Sequence, residues 1–388
     1  MLIGCFAGIT IGISSLYFYS LGLFIKPLAV EFGWSRGEAS LGGLAGTAGI
    51  ALMSIPVGRI LDFVGSVPVA IISLLLLALG FFALGTWVDG LGSFVIVNGL
   101  LAVAAAGSNP LPFTRLIVGR FERSRGLALG LALSGTGLGA ILIPMLVGPY
   151  IAEFGWRAGY RLLAVVVALA TPFIWLILRR YSTGRPKWDA PQPLRLLLAD
   201  PALRLLAGIF FLAAVAVLSA VVQFVPMLSD AGLDAAQAGR VAALIGFSAI
   251  IGRLGAGFLI DRIPPHKVAT ALMLAAGLGL AGLAIGGASV AVAGALIVGL
   301  AVGAEVDLIS FFAGRLFKRA GYGQAYGAIY AAFFVGGAIG PALSGYLRDW
   351  SGDYSIALGL SAALLFIAGA LAWRIGVLPV RSSNENKD

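Results

Sequence analysis

Charge is what this chain has least of: Asp, Glu, Lys and Arg make up 11% of its 388 residues, against roughly 25% in soluble proteins. That scarcity excludes an ordinary soluble domain. Cysteine is nearly missing too. The single Cys5 lies in an apolar stretch, which excludes a disulfide framework. The single histidine, His266, follows Pro264 and Pro265 and reads as a solvated loop residue rather than a proton relay. No metal-ligand cluster, phosphate loop or nucleophile–base pair occurs, so the chain does not read as an enzyme and no cofactor or metal is expected. What is present is apolar surface. AVILMFWYC residues make up 60% of the chain and the mean hydropathy is +1.01, the composition of a polytopic protein of the lipid bilayer.

A membrane span needs about 20 apolar residues. Twelve such runs lie near 2–25, 37–58, 67–88, 92–113, 126–149, 160–178, 203–227, 238–260, 267–287, 289–313, 324–346 and 354–377. The first has no basic leader or small-residue cleavage site and is kept as a span.

Basic residues gather in alternate connections. Arg115, Arg120, Arg123 and Arg125 stand between runs 4 and 5. Arg179, Arg180, Arg185, Lys187, Arg195 and Arg204 lie in the central connection, and Arg315, Lys318 and Arg319 follow run 10. Asp89, Asp230, Asp234, Asp349 and Asp353 fall on the other side. The positive-inside rule therefore puts both termini in the cytoplasm. The net charge of +9 is mostly topology, and no nucleic-acid partner is expected because no soluble domain presents the basic residues.

The two halves are parallel copies. GWSRGE at 33–38 precedes run 2 and GLDAAQ at 232–237 precedes run 8, each a capping box (Ser35 with Glu38, Asp234 with Gln237). The same spacing of 199 residues carries Gly58 and Asp62 onto Gly257 and Asp261. A spacing of 197 carries Gly126, Gly130, Gly139, Pro144, Gly148 and Gly155 onto Gly323, Gly327, Gly336, Pro341, Gly345 and Gly352. The domain reading is a six-helix half over 1–178, a central loop over 179–202, a second six-helix half over 203–377 and a tail over 378–388.

Two six-span halves with G-x-x-x-D at equivalent turns resemble the major facilitator superfamily of secondary transporters. Its turn motif stands here as GRILDFVGSVP at 58–68 and GFLIDRIPPHK at 257–267, with Phe63 after Asp62 but Arg262 after Asp261. The resemblance implies an all-α membrane protein of twelve helices. It also implies that Gly58, Asp62, Gly257, Asp261 and Arg262 latch the cytoplasmic face, more weakly in the first half; the alternative is a plain turn. Runs 1, 4, 7 and 10 would line the central cavity. Runs 2, 5, 8 and 11, rich in close-packing glycines, would form the contacts between halves, and runs 3, 6, 9 and 12 would face lipid. FERSRGLALGLALSGTGLG at 121–139, GAEVDLISFFAGRLFKRAGYGQAYG at 303–327 and GWSR at 33–36 are similar to the monocarboxylate porter and oxalate/formate antiporter branch, including its bacterial members. That implies a multi-pass protein of the bacterial inner membrane, acting as a monomer.

Only Arg253, Glu305 and Asp307 are ionisable residues well inside any run, where a charge costs roughly 2.5–3.5 kcal/mol and persists facing protein or water. Arg253 sits about 12 Å inside the end of run 8, at the level expected for Glu305, and pairing of these two is one expectation. The planar guanidinium fork matches a carboxylate, and in the resembled branch an eighth-helix arginine binds the substrate anion. Arg253 is therefore assigned to a small organic anion, with a permanent ion pair to Glu305 or Asp307 as the alternative. Glu305 and Asp307 diverge by about 200° on a helix; one of them is assigned to exchange a proton. Weaker binding candidates are Tyr17, Tyr19, Asn109 and Gln223, each equally explained by helix packing. The implied activity is monocarboxylate transport with protons. The alternatives are a cation-exporting antiporter using Glu305 and Asp307, and a transporter-like receptor.

Overall fold

The computed structural model describes residues 1–34, 36–121, 124–181, 193–233 and 235–377. Ser35 and Asp234 of the two capping boxes, most of the central loop and the tail lie outside the described residues.

Among the described residues, eleven helical stretches are long and apolar enough to cross a membrane. They are α1 (Leu2–Phe32), α2 (Arg36–Val64), α3 (Ser66–Trp87), α4 (Leu91–Val118), α5 (Arg125–Phe154), α6 (Trp156–Leu178), α7 (Pro201–Asp230), α8 (Ala235–Ile260), the pair α9 (Pro265–Gly286) and α10 (Ala291–Leu316), α11 (Lys318–Ser351) and α12 (Ser355–Arg374). The stretch Pro265–Leu316 runs for 52 residues, about 78 Å if straight, more than twice the bilayer core. It is broken at Gly287–Val290, where Gly287 has φ 53°. Leu283 of α9 then packs on Gly294 of α10 and Ile297 of α10 on Gly279 of α9, so this stretch folds back as a hairpin and the crossings number twelve. The fold is all-helical.

Two compact units emerge: Met1–Glu122 with Ala128–Lys187, and Arg123–Leu127 with Trp188–Asp388. Their internal repeat is visible in the backbone. Gly33 and Gly232, 199 apart, both adopt left-handed backbone with φ 68° and 94°. Gly155 and Gly352, 197 apart, do so with φ 84° and 86°. A side chain would strain each of these turns.

Within each unit, glycine sets how closely helices approach. A Cβ at Gly42, Gly46 or Gly49 of α2 would run into Phe94 of α4, Tyr17 of α1 and Ala102 of α4 respectively. In the second unit, Gly252 of α8 lies on the Leu300 backbone of α10, and Gly299 and Gly303 of α10 lie on Ile245 and Ala249 of α8. These glycines of α2 and α8 serve close packing inside a half. Ser248 of α8 also donates to the Leu296 carbonyl of α10.

Gly252→Val is expected to lower stability by about 1–3 kcal/mol, as overpacked sites do, because the added atoms meet backbone. Gly255→Ala has open space and serves as the control. Thermal unfolding of the purified variants in detergent checks the difference.

Candidate functional site

The two charges inside the second unit meet across the α8–α10 seam. Arg253 Nε donates to the Gly303 carbonyl at 2.9 Å and stands 3.4 Å from Asp307 Oδ1. Gly303 and Asp307 are four apart and share one face of α10, so a single guanidinium reaches both. Its side chain is 11% exposed and that of Asp307 2%, so the pair is shielded from bulk water. The bond to Gly303 depends on the glycine seam: a side chain at 303 would push α8 away.

This corrects the expected pairing of Arg253 with Glu305. The depth of Glu305 was read correctly, but at two residues from both 303 and 307 it points about 200° away. Glu305 is 5% exposed, and among the described residues its carboxylate makes no ion pair or hydrogen bond.

A second buried pair lies in the first unit, joining Asp62 of the turn motif to Arg115, a pairing that sequence reasoning missed. Arg115 Nη2 is 3.1 Å from Asp62 Oδ1, with side chains 3% and 5% exposed. Arg115 was counted with a basic connection, but α4 continues to Val118 and carries it inside. The signal was available: PLPFTR at 110–115 opens with Pro at the first helical position, which starts a helix rather than ending one. Arg315, Lys318 and Arg319 are likewise on helix ends, since only Phe317 separates α10 from α11.

The turn motif of the second unit behaves differently. Asp261 accepts from the backbone N–H of Gly126 at 2.7 Å and of Leu127 at 3.0 Å. Arg262 turns back to the Phe258 carbonyl and ring. Gly58 is buried in α2, and Gly257 lies on the Gly126 carbonyl. His266 is in the first turn of α9 rather than a loop, its ring edge-on to Trp373.

Two helices of the first unit are interrupted, which hydropathy did not reveal. α1 breaks at Gly12, whose backbone is extended, and continues through a π-helical turn over Ile13–Tyr17. α4 breaks at Ala106–Ser108 and restarts behind Asn109. The breaks face each other: Ile13 N–H donates to Ser108 Oγ at 3.2 Å, and a Cβ on Gly12 would overlap the Ser108 carbonyl.

Two of the four weaker candidates bond across helices, and a third caps its own. Tyr17 is buried and donates to Asn98 Oδ1 at 2.9 Å and to the Gly42 carbonyl at 3.3 Å. Asn109 caps the restarted helix through Leu111 N–H, and Gln223 donates to the Pro341 carbonyl at 3.4 Å. Tyr19 is 41% exposed.

The Major Facilitator Superfamily sequence profile matches residues 7–321. The chain belongs to this superfamily. It is a membrane transporter and not an enzyme. It is 30% identical over 378 residues to Monocarboxylate transporter 11 of Homo sapiens, covering 91% of this chain and 78% of that protein. The mouse (Mus musculus) protein of that name is 29% identical over 367 residues, covering 89% and 80%. Among solved structures, the transporter FucP in an outward conformation matches with a TM-score of 0.75 at 20% identity, over 96% of this chain and 97% of that one. The proton:xylose symporter XylE matches with a TM-score of 0.76 at 13% identity, over 96% and 94%. At these identities the structures show the fold alone.

Removing one partner of a buried pair leaves an unpaired charge and costs about 3–5 kcal/mol. Arg115→Met is expected to lower the thermal midpoint strongly. Arg115→Met with Asp62→Leu is expected to recover most of the loss, and a midpoint in the double variant no higher than in the single one would show that the pair is not what holds α2 to α4.

Proposed function

We propose that this facilitator carries a small organic monocarboxylate together with a proton by alternating access. In this reading Arg253 binds the substrate carboxylate and Asp307 is its resting counter-ion. The observation that supports it is the buried guanidinium, permanently charged, in an ion pair at 3.4 Å with Asp307. The resemblance to proteins named as monocarboxylate transporters agrees with it.

The coupling follows from competition. One guanidinium serves either Asp307 or the substrate. When the substrate takes it, Asp307 is left as an unpaired anion away from water, a state that costs several kcal/mol; a proton neutralises it. One proton then moves with each monoanion, and acid on the side of uptake favours entry. Of the two coupling candidates Asp307 is favoured over Glu305 because it shares the guanidinium. A single buried cation at this site also favours a monoanion over a dianion. Asp62 with Arg115, and Asp261 just beyond α8, are assigned as elements of the gate. The positive-inside pattern supports a cytoplasmic side for the gate and both termini in a bacterial inner membrane, with the protein acting as a monomer.

The test is uptake of a panel of labelled monocarboxylates into proteoliposomes under an imposed pH gradient. Arg253→Ala is expected to reduce uptake at least about 30-fold, the lower range for truncating one partner of a buried charge pair. Glu305→Gln is expected to keep gradient-driven accumulation. Equal uptake by wild type and Arg253→Ala would make the arginine structural. No uptake of any acid, with raised tolerance of cells to lipophilic cations, would favour the cation-exporting alternative.

A further inference from the structure

A groove on the flank of the first unit has no part in this transport reading. Val67, Pro68, Ile71 and Ile72 of α3 and Trp175 of α6, with Arg179 just beyond it, line an open space of about 360 Å³, within the range of ligand-sized clefts. It lies at helix ends. Val67 and Pro68 are in the first turn of α3, Trp175 is in the last turn of α6, and Arg179 follows Leu178. Such ends fall where a hydrocarbon core gives way to headgroups, the level at which tryptophan rings and long cationic side chains settle. The groove is open sideways: Ile72 is 55% and Trp175 45% exposed. An aqueous solute would gain little there, whereas a hydrocarbon chain fits apolar walls that lipid already surrounds.

Its rim is cationic. The Arg179 guanidinium lies 5.1 Å from the Trp175 ring centre, Arg180 is next in the chain, and Arg120 donates to the Tyr181 carbonyl at 2.9 Å and covers its ring. Among the described residues neither Arg179 nor Arg120 has an acidic partner. A zwitterionic headgroup would bring its own ammonium against these arginines; an anionic one brings only the complementary charge.

We propose that this groove is a binding site for an anionic phospholipid, with one acyl chain along Val67, Ile71, Ile72 and Trp175 and the phosphate on Arg179. The site takes its cation from Arg179 and its chain specificity from the apolar wall, so both halves of an amphiphile are needed. It stands independently of which solute is transported.

The protein in nanodiscs tests this by fluorescence quenching with lipids brominated in the acyl chain. The signal lost between wild type and Trp175→Phe isolates the quenching of Trp175. At equal mole fraction, brominated phosphatidylglycerol is expected to quench Trp175 about fivefold more effectively than brominated phosphatidylcholine, the preference that one interfacial arginine gives. Arg179→Gln is expected to abolish that preference, Arg179→Lys to keep most of it, and Arg204→Gln to leave it unchanged. Equal quenching by the two lipids in wild type would overturn the proposal in favour of ordinary boundary lipid. Loss of the preference on adding millimolar inorganic phosphate would overturn it in favour of a site for a free anion.

Discussion

A guanidinium carried into a membrane protein needs an anion and hydrogen-bond acceptors at hand, and the meeting of Arg253 with Asp307 and the Gly303 carbonyl imposes conditions on much of the second half. α8 and α10 have to approach until backbone touches backbone, which only Gly252, Gly299 and Gly303 permit. Asp307 has to sit one turn beyond Gly303 so that carbonyl and carboxylate lie on one face. Even the separate fate of Glu305 follows, since a residue between those two is turned away from the seam.

The first half handles the same stretch of its repeat in another way. At the spacing of 197, Ser108 and Pro110 correspond to Glu305 and Asp307, and at 199 Ser54 corresponds to Arg253. Where the second half has acids and an arginine on unbroken helices, the first has facing interruptions in α1 and α4, closed by Ser108 and capped by Asn109. Its buried ion pair, Asp62 with Arg115, lies at the end of α2 instead. The repeat thus keeps its turn glycines while placing its charges differently. Each half buries a guanidinium, at the end of α4 in the first and part-way along α8 in the second.

The architecture was legible because composition, span length and repeat spacing are properties of long stretches. Twelve runs, a repeated G-x-x-x-D and paired glycines left few folds to choose from. The depth of Arg253 and of the two acids was legible as well, since depth along a helix is a matter of counting. Which acid faces Arg253 was not, because it depends on the rotation of α10 against α8, fixed by glycine contacts with no signature in hydropathy. Arg115 was hidden because an apolar run ends where charge begins, here after Phe113, whereas the helix continues to Val118. The interruptions of α1 and α4 were invisible for a related reason: Gly12 and the residues around Asn109 are apolar or small enough to leave the hydropathy unbroken.

The central claim is that substrate and Asp307 compete for one arginine, so that the proton accompanies the exchange. Asp307→Asn tests it most directly, in proteoliposomes preloaded with a transported acid. With no carboxylate left to neutralise, exchange of labelled for unlabelled acid should persist at a rate comparable to wild type while accumulation driven by a pH gradient disappears. A variant that still accumulates substrate against its gradient when only the pH differs would contradict the account and move the coupled proton elsewhere.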